Sequence, residues 1–297
     1  MESLEIKDKK AYRRLPSWFK VKIHEGKHFR QIDSLVRTLN LRTVCKEAGC
    51  PNKWECWNRG TVTFIILGDL CTRGCTFCGV EQGRPKEVDW HEATKVAEAI
   101  KTLDLRYAVI TSVTRDDLED GGAALFAKVV EENKKTNPDC TIELLVPDFK
   151  GQQEAVHKVV DSAPSVLGHN LETVKRLYPR VRPQTDYNRS LNLLVQAKKR
   201  DGRVFTKSGL IIGFGETTKE IHQTMRDLKD AGCDILTIGQ YLKPSRVHLP
   251  VEKFYTPEDF LELESTGKEI GFLYIKTGPL VRSSYHADDF MLSKKLI

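Results

Sequence analysis

Six of the chain's eight cysteines stand between positions 45 and 78, in two trios of unlike spacing. Cys71, Cys75 and Cys78 read CxxxCxxC within CTRGCTFC, and Cys45, Cys50 and Cys56 read CxxxxCxxxxxC. Thiolates are the protein ligands of iron–sulfur clusters. Three close together can hold three irons of a [4Fe–4S] cube and leave the fourth iron open, and an open metal position is a place for chemistry. Zinc is the plainer alternative. Zinc sites ordinarily show CxxC pairs and four ligands. CTRGCTFC offers no obvious fourth, and CxxxxCxxxxxC is an unusual zinc spacing.

The elements around these cysteines set where the chemistry sits. TVTFIILG (61–68) reads as a buried strand leading straight into the second trio. HEATKVAEAIKTL (91–103) follows as a helix, with Ala93, Val96, Ala97 and Ile100 on one face. YAVITSV (107–113), TIELLVPDF (141–149), SVLGHN (165–170), SGLIIGFG (208–215) and CDILTIGQYL (233–242) read as further strands. Helical patterns separate them at 123–135, at QQEAVHKVV, at LETVKRL and through Ile221, Met225 and Leu228. About six βα units predict an α/β protein with a parallel sheet. A closed eightfold barrel needs eight, so the expected fold is a partial (β/α)6 barrel; a doubly wound sheet is the alternative. Residues 1–60 and 246–297 are expected as extensions on a 61–245 barrel, with Pro244, Pro250 and Pro257 marking an irregular connection. The second trio then falls in the first βα loop, at the end of a parallel barrel that carries active sites.

Composition narrows the class. Of 297 residues, 40% are hydrophobic and 30% charged, which fits a soluble globular chain. Lys plus Arg exceed Asp plus Glu by 47 to 41, a formal charge of +6. That excess favours an acidic partner, but it is spread along the chain and does not indicate nucleic acid. No apolar run approaches the roughly 20 residues of a membrane span. MESLEIKDKKAYRR lacks the apolar stretch of a signal peptide, and Glu2, Glu5 and Asp8 argue against a transit peptide. The expected compartment is a reducing cytoplasm, where clustered cysteines point to metal or catalysis.

With Phe77 just before its last cysteine, CxxxCxxC after the first strand resembles the radical S-adenosylmethionine superfamily. That resemblance implies that the open iron is chelated by the amino and carboxylate groups of S-adenosylmethionine. An electron from the cluster cleaves the sulfonium, and the 5′-deoxyadenosyl radical abstracts hydrogen from a substrate carbon. CxxxxCxxxxxC, RRLPSWFKVKI (13–23), ITSVTRDDLEDGGA (110–123), GLIIGFGE (209–216) and VRSSYHA (281–287) together resemble the lipoyl synthase family over nearly the whole chain. This second resemblance implies that Cys45, Cys50 and Cys56 hold an auxiliary [4Fe–4S] cluster that is dismantled to provide sulfur. Its fourth iron would be held by a serine of RSSY, which the family assigns to Ser284; the residues alone leave Ser283 open. An oxygen ligand is hard for iron in a thiolate setting, which suits an iron that must leave.

The resemblance further implies sulfur insertion at carbons 6 and 8 of an octanoyl chain on a carrier lysine, consuming two S-adenosylmethionines. The implied partners are octanoylated lipoyl carrier domains (glycine cleavage H protein, E2 subunits of 2-oxoacid dehydrogenases), an electron donor such as ferredoxin or flavodoxin, and an iron–sulfur carrier. Nucleic acid and membrane are not expected partners.

Further residues carry two readings each. Thr111 and Ser112 end the second strand, where the superfamily contacts the methionyl amine; polar strand ends are also turn formers. Asn170 and Glu172 are placed to meet ribose hydroxyls, or Asn170 caps a helix from Leu171. GFGE lacks GxGxxG spacing, and Gly213 is expected to approach the adenine with its backbone. Asp117, after Arg115 and Asp116, is a helix cap or a catalytic group. Arg282 anchors its segment or guides an acidic substrate domain. Cys140 and Cys233 are expected in the core. Trp54 and Trp57 flank Cys56 and are expected to shield it from solvent. A tRNA methylthiotransferase also has two three-cysteine sites, but RSSY speaks against it. A redox-sensing regulator would need neither S-adenosylmethionine nor the barrel.

Overall fold

The apolar runs come together as one curved, open sheet. A computed structural model of the chain describes residues 15–21 and 23–295; Glu2, Glu5, Asp8, Arg13 and Arg14 lie outside the described residues. A short strand β1 (Arg42–Thr43) pairs antiparallel with β2 (Thr63–Ile66). Six more strands then follow in parallel and in chain order: β3 (Tyr107–Ser112), β4 (Thr141–Leu145), β5 (Val166–Gly168), β6 (Phe205–Ile212), β7 (Ile235–Gln240) and β8 (Tyr274–Gly278). The central strands are buried along nearly their whole length, as β2 and β7 show, because helices cover the outer face.

Before the sheet stand α1 (Lys27–Thr38), α2 (Val44–Glu47) and α3 (Lys53–Asn58). The crossovers run through α4 (Glu92–Thr102), α5 (Ala123–Thr136), α6 (Gln153–Asp161), α7 (Tyr178–Val181) with α8 (Tyr187–Arg200), α9 (Thr218–Asp230) and α10 (Pro257–Ile270). Capping boxes start the last two: Thr217 with Glu220, and Thr256 with Asp259. Six βα units are therefore present, as expected. The repeat runs further than the sequence reading placed it, however. Residues 257–278, read as lying outside, supply the helix of the sixth unit and a seventh parallel strand. Pro257, read as part of an irregular connection, is the first residue of α10, where its missing N–H costs nothing.

LETVKRL does not form the helix expected after β5. Glu172 adopts a left-handed φ of 67° and pairs with Leu210, so the chain runs on beside β6. The crossover helix is α8, and 169–186 becomes a long connection at the C-terminal end of the strands.

The end of the described chain packs back onto the sheet. Gly239 of β7 makes the space for it: a Cβ there would meet the Val281 carbonyl oxygen at 1.9 Å. Beyond it, α11 (Asp289–Ser293) packs Phe290 and Met291 against Tyr107, Val109, Val166 and Ile235, early residues of three strands. Phe290 also meets Phe205 edge-on at 4.9 Å. No helix among the described residues is long and apolar enough to cross a membrane.

Candidate functional site at the C-terminal ends of the strands

Cys71, Cys75 and Cys78 occupy the loop after β2, and backbone pairing fixes that loop on both sides. Cys71 bridges to Gln82, with its N–H donating to Glu81 at 2.9 Å and its carbonyl accepting from Gly83 at 2.9 Å. Its sulfur accepts from the N–H groups of Arg73 at 3.4 Å and Thr114 at 3.3 Å. Backbone N–H donors to sulfur are what a cluster-ligating thiolate needs. The Thr76 hydroxyl donates to the carbonyls of Arg180 and Val181, and His248 Nε2 meets the Cys78 carbonyl at 2.8 Å. Arg73, between the first two cysteines, is buried and held by Asp116 and Asp148. Burial pushes the Cys75 thiol up, partly offset by Arg182, and pushes Cys78 up to about 12.

Cys45 lies on α2, Cys50 follows it, and Cys56 lies on α3. The Thr43 hydroxyl caps α2 by accepting from Lys46. Burial raises all three thiols, Cys45 to about 11, and mutual repulsion within the trio adds to it for Cys45 and Cys56. Trp57 is fully buried, with an indole N–H that finds no partner among the described residues; Trp54 stacks on Phe29 at 4.8 Å.

The two trios sit on adjoining segments. A Cβ on Gly79, next to Cys78, would stand 3.8 Å from the Ala48 Cα and 3.9 Å from the Glu47 carbonyl oxygen at the end of α2. The RSSY segment is tied to the first trio. Asn52 donates to the Leu280 carbonyl at 2.6 Å, and Glu55 accepts from the Tyr285 hydroxyl at 3.0 Å and meets His286 at 2.9 Å. Ser283 and Ser284, both half-buried, lie between Arg282, which faces Cys50, and Tyr285, which faces Cys56.

Of the remaining expected residues, Glu172 lies close to Cys75, Cys78 and Arg282. Ser112 Oγ is buried without a partner among the described residues. The Thr111 hydroxyl instead donates to the Leu145 carbonyl at 2.7 Å. Asn170 caps no helix: its amide donates to Glu172 at 3.0 Å and its Oδ1 has no partner among the described residues. Glu172 faces Arg182 and Arg282, and burial raises its pKa despite both. Gly213, at φ 123°, has its N–H taken by Glu216 and its carbonyl by Glu252, and a Cβ there would meet Gln240 Nε2 at 2.2 Å. Phe77 sets its ring edge-on to Phe214 at 6.5 Å. Asp117 caps no helix either; it pairs with Arg115 at 2.8 Å, while Asp120 accepts from Gly122 and Ala124 at the start of α5. Cys233 is fully buried, and Cys140 is half-buried against the core.

Sequence reasoning missed Arg182 and His169. Arg182 is buried, donates to the carbonyls of Asn170 and Leu171, faces Cys75, and has an Nε without a partner among the described residues. His169 donates from Nδ1 to the Val146 carbonyl at 2.8 Å, and burial with Arg182 holds it down at about 4, so Nε2 is a free acceptor. Neither residue sits in a motif, and only the fold brings them here.

These residues fit the implied groups. Buried polar atoms almost always find partners, yet Ser112 Oγ, His169 Nε2, Asn170 Oδ1 and Arg182 Nε find none among the described residues beside the second trio. They mix donors and acceptors, as a polar cofactor requires. The unpartnered Trp57 N–H beside Cys45 suits a sulfide-bearing cluster in the same way. Among the described residues no three His, Cys, Asp or Glu side chains converge as they would on one ion; the ligands of a cube stand at separate corners and need not.

Comparison with known proteins agrees with this geometry. Residues 65–228 match the Radical SAM superfamily, and residues 1–50 match the N-terminal domain of lipoyl synthase of the Radical SAM family. Lipoyl synthase of Rubrobacter xylanophilus is 50% identical over 288 residues, covering 97% of this chain and 90% of the relative. That of Caldicellulosiruptor saccharolyticus is 51% identical over 92% and 96% of the two chains, and mitochondrial lipoyl synthase of Nematostella vectensis 48% over 92% and 94%. Among solved structures, methylornithine synthase superposes with a TM-score of 0.54 at 13% identity over 89% and 84% of the chains, a likeness of fold alone. Two cysteine trios on adjoining segments of a partial barrel, with relatives at half identity along nearly the full length, make the chain a member of the lipoyl synthase family of radical S-adenosylmethionine enzymes.

Proposed function

We propose that the protein inserts two sulfur atoms, at carbons 6 and 8, into an octanoyl chain in amide linkage to a lysine of a lipoyl carrier domain. The observation that carries this reading is the approach of the two trios, with Gly79 beside Ala48 and the RSSY segment clamped by Asn52 and Glu55. When bound, a reduced [4Fe–4S] cluster supplies the electron that cleaves S-adenosylmethionine and so starts hydrogen abstraction.

Cys71, Cys75 and Cys78 hold that cluster. Ser112, Asn170 and Glu172 orient the S-adenosylmethionine, with Thr111, Gly213 and Phe77 packing around it, and Arg182 offers a buried positive charge close to Cys75. Cys45, Cys50, Cys56 and Ser284 hold the auxiliary cluster, which serves as the sulfur source. Trp57 and Phe29 keep water from it. Ser284 would set a hard oxygen ligand among the soft thiolates.

On this reading residues 1–60 supply the sulfur site, 61–245 the radical site and 246–297 the serine. The work is done in the cytoplasm, with ferredoxin or flavodoxin as reductant and an iron–sulfur carrier to rebuild the consumed centre. The carriers are glycine cleavage H protein or E2 subunits. Mass spectrometry of an octanoylated lysyl peptide after anaerobic turnover tests the proposal. Replacement of two C–H bonds by two C–SH groups is expected, a gain of two sulfurs with no net change in hydrogen; unchanged peptide beside 5′-deoxyadenosine would refute sulfur insertion.

A further inference from the structure

Trp57 is fully buried, yet its indole N–H has no partner among the described residues. An indole has one polar atom, and that atom can only donate. Buried indoles usually find an acceptor, and one without costs stability. A position that needed only an apolar shield would carry phenylalanine or leucine without that cost. Exclusion of water therefore accounts for the ring but not for its nitrogen.

The ring is held in place from several sides. Phe29 packs on it with centroids 5.0 Å apart, and the Lys46 and Lys53 ammonium groups lie over it at 5.5 and 5.8 Å. Lys46 is itself fixed by Asp33 at 2.8 Å, and Lys53 also lies over Trp54 at 4.6 Å. Cations over an indole are attracted by its π electrons, and the polarised ring makes its N–H a stronger donor. Trp57 directly follows Cys56 on α3 and stands beside Cys45 on α2, so the nitrogen lies among buried sulfur ligands of the first trio. An electron-rich sulfur that arrives when the site is loaded is the acceptor this donor lacks.

We infer that the Trp57 indole N–H donates to sulfur at the Cys45 corner of the auxiliary cluster and sets how readily that cluster accepts an electron. The inference rests on the first trio holding a cluster, as proposed above. A donor to sulfur favours the more negative, reduced state and so raises the reduction potential. A dry wall acts the other way, because added charge is disfavoured where water is absent. The two roles of Trp57, donor and shield, therefore shift the potential in opposite directions when each is removed.

The test is a reductive titration of anaerobic holoenzyme with both clusters, followed by electron paramagnetic resonance. The step that is missing from Cys50→Ala belongs to the auxiliary cluster. Wild type is compared with Trp57→Phe and with Trp57→benzothienylalanine. The second replaces the N–H by sulfur and keeps the shape of the ring, so packing and folding are preserved. In both variants the auxiliary potential is expected to fall, the potential of the radical cluster to stay where it was, and about eight irons per chain to remain. An unmoved auxiliary potential overturns the inference. So does a rise, which would leave Trp57 a barrier to water and nothing more. If wild type takes up only about four irons and Cys50→Ala loses none of them, the first trio holds no cluster. That iron count sinks the functional reading and the inference with it, whereas full iron with an unmoved potential sinks the inference alone.

Discussion

The Glu55 carboxylate accepts a hydrogen bond from the Tyr285 hydroxyl at 3.0 Å, across 230 residues of sequence. It joins the residue before Cys56 to the residue after Ser284. The pair is exposed, and His286 meets the same carboxylate at 2.9 Å. Tyr285→Phe should therefore cost the fold less than about 1 kcal/mol. Its expected effect is on coupling: less lipoyl product per 5′-deoxyadenosine, both measured by mass spectrometry. An unaltered ratio would reduce Tyr285 to a surface contact.

The trios are expected to separate in function. Cys75→Ala should abolish cleavage of S-adenosylmethionine. Cys50→Ala should keep cleavage and lose sulfur insertion, and its iron content should fall from about eight to about four per chain. Lipoyl product from Cys50→Ala at the wild-type rate would remove the donor role from the first trio.

Gly239→Ala tests how the RSSY segment is seated. The new methyl would fall 1.9 Å from the Val281 carbonyl oxygen, and that neighbour is backbone. Overpacking of this kind typically costs about 1–3 kcal/mol. Thermal unfolding should fall accordingly, and the auxiliary iron should be lost before the radical cluster. Retention of all iron would show that the segment has room to shift.

Asp148 is fully buried and accepts from Arg73 at 2.7 Å and from Arg189 at 2.7 Å. Asp148→Ala leaves a buried guanidinium with Asp116 alone, a loss of about 3–5 kcal/mol that chemical denaturation of cluster-free protein would read. Burial alone would raise the Asp148 pKa, but Arg73 outweighs it and holds the carboxyl well below the usual range. Its stabilising contribution is thus complete above the ordinary carboxylate value and is lost as pH falls through the lower folded one. Acid unfolding of Asp148→Ala should lack that component.

The first trio also gives a pH dependence. Burial raises all three thiols, Cys45 to about 11, so in cluster-free protein near neutral pH they carry their protons. Iron binds thiolate, so loading must release them. Reconstitution of a Cys71→Ala variant should speed up with pH between about 6 and 9 and acidify a weakly buffered solution. A flat profile would mean the thiols are ionised before iron arrives.

Much of this was legible in the sequence for identifiable reasons. The strands from β2 to β7 are apolar runs because both faces of a parallel sheet are covered. β8 escaped notice because it lies at the sheet edge and only Ile275 is buried, so Tyr274, Lys276 and Thr277 break the apolar signal. LETVKRL misled because Leu171, Val174 and Leu177 are spaced as on a helix. All three are buried, but by a chain that turns left-handed at Glu172 and runs beside β6. The cysteines stood out because few residue types ligate iron. Arg182 and His169 did not, since a buried polar group announces itself only once its surroundings are known.

The clamps that join the first trio to the RSSY segment span 228 and 230 residues. Closing so long a span costs entropy that shorter closures avoid, so these contacts wait until the sheet has drawn its two margins together. The second trio's loop is held by shorter spans, from Cys71 to Thr114, from Thr76 to Val181 and from Cys78 to His248. On the proposed reading, the first trio therefore meets the RSSY segment only in a finished molecule.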